Sequence, residues 1–78
     1  MDYSLKQDGF EFLVEAEKER VKEEILSSYI NLRKKKGITQ QQIAELTGMQ
    51  RTNIVRIESG RYSPTIEVLV KLAAALDM

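Results

Sequence analysis

The sequence predicts an all-α fold, and three observations predict it. Apolar residues recur at spacings of three, four and seven, no stretch alternates apolar and polar with the period of a strand, and Gly37, Gly48 and Gly60 fall between the periodic segments. A chain of 78 residues makes one small domain, which buries only roughly 60 to 65 per cent of its unfolded surface.

Residues 10–36 hold neither proline nor glycine, are rich in Glu and Lys, and set Val14, Val21, Ile25, Tyr29 and Leu32 on a helical period. One amphipathic helix or two abutting ones fit. Ser27 and Ser28 mark the expected break, because serine competes for backbone hydrogen bonds and caps new helices. Arg33, Lys34, Lys35 and Lys36 complement the dipole of the last turn, and Gly37 stops it. Thr39 opens the next helix, with Gln42 at capping-box spacing and Ile43, Ala44 and Leu46 as its apolar face, and Gly48 closes it. Residues 50–58 place Ile54 and Ile57 on one side and Arg51, Thr52, Val55 and Arg56 on others, until Ser59 and Gly60 end the segment. Ser63 then suits a cap and Pro64 a first helical position, ahead of an apolar stripe of Ile66, Leu69, Leu72, Ala73 and Leu76. The expectation is a bundle of four helices preceded by an extra N-terminal amphipathic helix.

Composition narrows the chemistry. With no cysteine and no histidine, disulfides, thiolate metal sites and the usual general base are all missing, so no cofactor or metal is expected. Carboxylates alternate with lysines instead of converging, and no glycine-rich phosphate loop is present, which speaks against an enzyme. Apolar runs fall far short of the roughly 20 residues of a membrane helix, and the amino terminus lacks a signal-peptide layout, so a reducing cytoplasm is the expected location. The zero net charge hides a split: residues 1–28 hold 8 acids against 4 bases, and residues 29–78 hold 8 bases against 4 acids. A basic second half suits a polyanion.

Two short helices joined at a glycine turn form a helix-turn-helix, whose second member enters the DNA major groove. Arg33 followed by GITQQQIAELTGMQRTNIVRIESGRYSPTIEVLVKLAAAL resembles the phage-repressor type of this domain, the XRE family, over about 45 residues. The resemblance implies a lambda-repressor-like bundle in residues 28–78, with residues 1–27 as an acidic helical extension. Family domains usually carry a fifth helix, and this chain shows none before Met78; the extension is one candidate to replace its cover.

The resemblance also implies roles. Arg51, Thr52 and Arg56 fall on base-reading positions, and Thr39, Gln40, Gln50, Arg61 and Thr65 on positions that touch the DNA backbone. Gln50 departs from the family's Ser or Thr and caps poorly. Arg33 and Glu58 match a partly buried structural ion pair. The implied partner is a double-stranded operator bound by a homodimer, as a repressor that reads the major groove with residues 50–58. A different class of function is an interaction module resembling antitoxins, in which Phe10, Leu13, Val14 and Val21 offer an apolar face to a toxin protein.

Overall fold

A computed structural model describes residues 7–77, and residues 1–6 and Met78, which belong to the expected extension and to the end of the expected domain, lie outside the described residues. Four helices follow in order: α1 (Gln7–Lys35), α2 (Gln40–Thr47), α3 (Arg51–Glu58) and α4 (Ile66–Ala75), with no strand among the described residues. The extension is not a separate helix. The expected break at Ser27 and Ser28 is absent, and α1 runs through both serines for 29 residues. Leu26, Tyr29 and Ile30 all pack into the body on either side of that point, so burial holds the helical path that serine alone would weaken.

The helix ends follow local chemistry. Past α1 the Gly37 N–H donates to the Lys34 carbonyl and the Ile38 N–H to the Arg33 carbonyl, the two bonds of a Schellman turn. Gly37 sits there at φ 71, a left-handed position that a side chain would strain. Thr39 and Gln42 form the full capping box: the Thr39 hydroxyl accepts from the Gln42 N–H at 3.0 Å, and the Gln42 side chain accepts from the Thr39 N–H at 2.8 Å. α4 corrects the expectation. Its cap is Thr65, whose hydroxyl accepts from the Val68 N–H at 3.2 Å, while Pro64 lies outside the helix and is buried. Ser63 is engaged elsewhere: its hydroxyl accepts from Lys22 and donates to Glu19, both on α1.

The core gathers Tyr29, Ile43, Ala44, Ile54, Ile57, Leu72 and Leu76 from all four helices. Leu46 and Ile66, expected inside, are 65% and 45% exposed, and Ala73 is only half-buried. Helical spacing assigns a face, but α2 and α4 each have neighbours on only part of theirs. α1 outruns the body it packs on: from Phe10 to Val21 every residue is exposed.

The strongest polar feature ties three helices together. Arg33 on α1 forks onto Glu58 at the end of α3, Nε to Oε2 at 2.9 Å and Nη2 to Oε1 at 2.6 Å, and its Nη1 donates to the Ile38 carbonyl at 2.9 Å. Tyr29 donates its hydroxyl to Glu58 Oε2 at 3.2 Å, and Gln40 on α2 donates to Oε1 at 3.3 Å. Both charged side chains are nearly enclosed, at 10% and 7% exposed. A two-pronged Arg–carboxylate bond in such a place is strong and directional. A second tie closes the other end of the body, where the Lys36 ammonium donates to the Leu76 carbonyl at 2.8 Å.

Truncating either Arg33 or Glu58 to alanine strands the other charge, with an expected loss of roughly 3–5 kcal/mol in chemical denaturation, enough to unfold much of a marginal domain. Burial, then the Glu58 charge, pushes the Tyr29 phenol well above its ordinary value. With the folded-state value raised, the stability linked to the protonated phenol is complete below a pH of about 10 and lost as pH rises beyond it. Thermal melts of Tyr29→Phe should therefore decline less steeply above that pH than those of the wild type. At the start of α3, where Gln50 makes no side-chain cap bond, Gln50→Ser should raise stability by about 0.5–1 kcal/mol in the same assay.

Candidate nucleic-acid interface

α3 is an eight-residue rod with two unlike sides. Ile54 and Ile57 are sealed in the core, whereas Arg51, Thr52, Asn53, Val55 and Arg56 are all exposed. The helix is presented by what lies behind it: α2 packs directly against it, and Glu58 fastens its last residue to α1. The turn between α2 and α3 is three residues, Gly48 to Gln50, in which Gly48 closes α2 by donating its N–H to the Ala44 carbonyl at 2.9 Å and the Met49 N–H reaches the Thr47 hydroxyl at 3.2 Å. So short a link leaves α3 little freedom to change its angle.

Among the described residues, Arg51, Arg56 and Arg61 have no carboxylate partner. This sets them apart from the bases of α1, where Lys18, Arg20 and Lys22 all pair with glutamates one turn away. The basic half of the chain therefore keeps its exposed guanidinium charge uncompensated. Arg51 also borders two shallow hollows between α2 and α3, one shared with Arg33, Thr39, Gln40 and Gln41, the other with Gln41, Glu45, Gln50 and Thr52. At the α2 end of the first hollow the N–H groups of Gln40 and Gln41 precede the intrahelical ladder, which begins with the Ile43 N–H bonded to Thr39. The first hollow is thus rich in donors, whereas Glu45 sets a carboxylate on the second.

The expected contact residues fall into three groups. Arg51, Thr52 and Arg56 share the exposed side of α3, and Gln50 adjoins them at its start. Thr39 and Gln40 lie across the hollow from Arg51, with the Thr39 oxygen already accepting a cap bond and one Gln40 amide hydrogen given to Glu58; the second hydrogen of that amide stays free. Arg61 and Thr65 lie in the loop after α3 and at the head of α4, and Thr65, like Thr39, spends its oxygen on a cap. Gln41 leans on Glu45 at 3.4 Å.

Two features go beyond the sequence reading. Val55, which that reading already sets outward but gives no role, is 39% exposed on α3 one turn beyond Arg51 and Thr52, an apolar patch among donors that suits a thymine methyl; the signal is its place four residues after Arg51. Tyr29 and Gln40 also join the Arg33–Glu58 pair. Tyr29 precedes Arg33 by four residues and so shares its face, whereas nothing local indicates Gln40.

No helix among the described residues is long and apolar enough to cross a membrane, and they hold no cluster of side chains able to bind a metal. The helix-turn-helix family profile matches residues 30–78. Similar curated proteins include an uncharacterized HTH-type transcriptional regulator of Methanothermobacter thermautotrophicus, 43% identical over 44 residues, which are 56% of this chain and 64% of that one. Another, from Haemophilus influenzae, is 38% identical over 52 residues, 67% of this chain and 53% of that one. A third, from Sinorhizobium fredii, is 36% identical over 52 residues, 67% of this chain and 68% of that one. All three carry the same description, and the chain spans less than two thirds of the first two. No solved structure matches significantly. With the profile covering α2, the turn, α3 and α4, the chain belongs to the XRE-type helix-turn-helix family.

Proposed function

We propose that the protein is a sequence-specific regulator of transcription that binds double-stranded DNA, with α3 as its recognition helix. The observation that carries this reading is the unpaired guanidinium set on the exposed side of α3, held rigidly from behind by Ile54, Ile57 and Glu58. Arg51 and Arg56 reach guanine O6 and N7, Thr52 offers a hydroxyl or methyl, and Val55 packs on a thymine methyl. Gln40, the open N–H groups at the head of α2, Thr39, Gln50, Arg61 and Thr65 hold phosphates and fix the register of α3 in the groove. Arg33 and Glu58 take no part in reading; they set the angle at which the reading helix is offered.

Residues 28–78 form the reading unit, and residues 1–27 serve assembly. Two copies bind the halves of a palindromic operator, with recognition helices about 34 Å apart to match one turn of DNA. Such a dimer acts as a repressor by occupying a promoter, in the cytoplasm where the DNA lies. A second reading, in which the exposed apolar side chains Phe10, Leu13, Val14 and Val21 receive a toxin protein, makes DNA binding secondary.

Selection of bound sites from random duplexes tests the assignment. Arg51→Ala should relax preference at one position per half-site, at a cost of about 1–3 kcal/mol, whereas Lys35→Ala should weaken all sequences alike and lower the salt slope by about 1. Equal, sequence-blind losses from the two substitutions would remove Arg51 from base reading. Affinity that does not fall with salt would favour the interaction module.

A further inference from the structure

We infer that the exposed apolar stripe of α1 is the seat of a second copy of this chain, docked antiparallel about a two-fold axis near Glu17. This deepens the two-fold assembly proposed above and rests on that reading only for its link to an operator.

An exposed apolar stripe runs along α1 through Phe10, Leu13, Val14 and Val21 and ends against Ile66 of α4. These side chains are exposed by about 40 to 50 per cent each and lie within one arc of the helix, since their spacings of three, four and seven return to the same face. The stripe also has two unlike ends. Phe10, Leu13 and Val14 stand on the part of α1 that projects past the body, and Val21 and Ile66 stand over the body itself. An antiparallel copy brings each projecting end over the other's Val21 and Ile66, so one contact, made twice, covers both.

Charge selects the second copy over a foreign partner. Beside the stripe runs the row Glu11, Glu15, Lys18, Lys22, acid, acid, base, base at spacings of four, three and four. A two-fold axis near its centre sets Glu15 of each copy against Lys18 of the other, whereas a uniformly acidic or basic partner would meet one of the two with like charge. Glu15 and Lys18, 3.8 Å apart and both exposed, are the pair free to exchange partners. Lys22 already contributes to Glu19 and Ser63 and adds less. Glu17 interrupts the stripe close to the axis, and Arg20 of its own helix neutralises it through Nε, 3.1 Å from each carboxylate oxygen.

Because the chain has no cysteine, single-cysteine variants report the geometry directly. In an antiparallel pair the two copies of residue 17 lie nearly level, within the roughly 4–7 Å Cα separation a disulfide needs, whereas the two copies of residue 10 lie about 20 Å apart along the helix. Oxidation should link Glu17→Cys into a covalent dimer and leave Phe10→Cys unlinked. Sedimentation of the wild type without DNA should show dimers at micromolar concentration, and Val14→Asp should weaken them by roughly tenfold or more with unchanged helix content. A chain that stays monomeric across that range, or cross-links Phe10→Cys as readily as Glu17→Cys, overturns the inference. So does a monomer that becomes two-fold only with a co-expressed foreign protein seated on Val14. Since no DNA is present, these failures leave base reading by Arg51 standing, and a failure in site selection leaves the dimer standing.

Discussion

The face that α3 presents to its surroundings depends on how the Glu58 carboxylate is held. Its two oxygens take four donors, two from Arg33, one from Tyr29 and one from Gln40, so α1 and α2 are both fastened to the last residue of α3. A buried charge of this kind adds little net stability against an apolar replacement, because desolvation offsets most of the attraction. What it supplies is direction. Apolar packing of Ile54 and Ile57 would tolerate a slide or rotation of α3, whereas a forked guanidinium accepts one arrangement, and the exposed arginines are aimed by that arrangement. The same carboxylate fixes Gln40 across the hollow from Arg51, so the groups proposed to hold phosphate and base share one anchor.

Charge is partitioned along the chain in a way that composition only hints at. Lys18, Arg20 and Lys22 in the first half of α1 are spent on glutamates of the same helix, pairs that contribute at most a few tenths of a kcal/mol, by order of magnitude, but cancel each other's field. The arginines of α3 and the loop after it have no such partners. A polyanion approaching the molecule therefore meets attraction on the α3 side and repulsion from the acidic first part of α1, which orients the encounter before any contact forms.

Much of the fold is legible in the sequence, and the reasons differ from element to element. The Thr39–Gln42 box and the stops at Gly37, Gly48 and Gly60 are settled within a few residues of chain, so local rules locate them. Ser63 and Thr65 are equally good caps by those rules; the choice falls to Thr65 because α1, some forty residues away, occupies the Ser63 hydroxyl. Ser27 and Ser28 carry a break signal that the burial of Leu26 and Tyr29 overrides. Leu46 and Ile66 fit the helical period yet face solvent, since periodicity names a face without saying whether anything covers it. In the interface, the outward set on α3 follows from the positions of Ile54 and Ile57, but the engagement of Gln40 with Glu58 joins residues 18 apart in sequence, beyond any local pattern.

The unbroken passage of α1 through Ser27 and Ser28 makes the helix a crankshaft. No joint separates the apolar stripe at its far end from Arg33 at its root, so the azimuth between that stripe and α3 is set by counting residues at about 100° each. Loss of one residue between Lys22 and Tyr29 would swing one surface a quarter-turn past the other, while insertion of a full heptad would keep the phase and lengthen only the reach. The phase between the two surfaces is therefore quantised, a constraint that a flexible hinge at the serines would have removed.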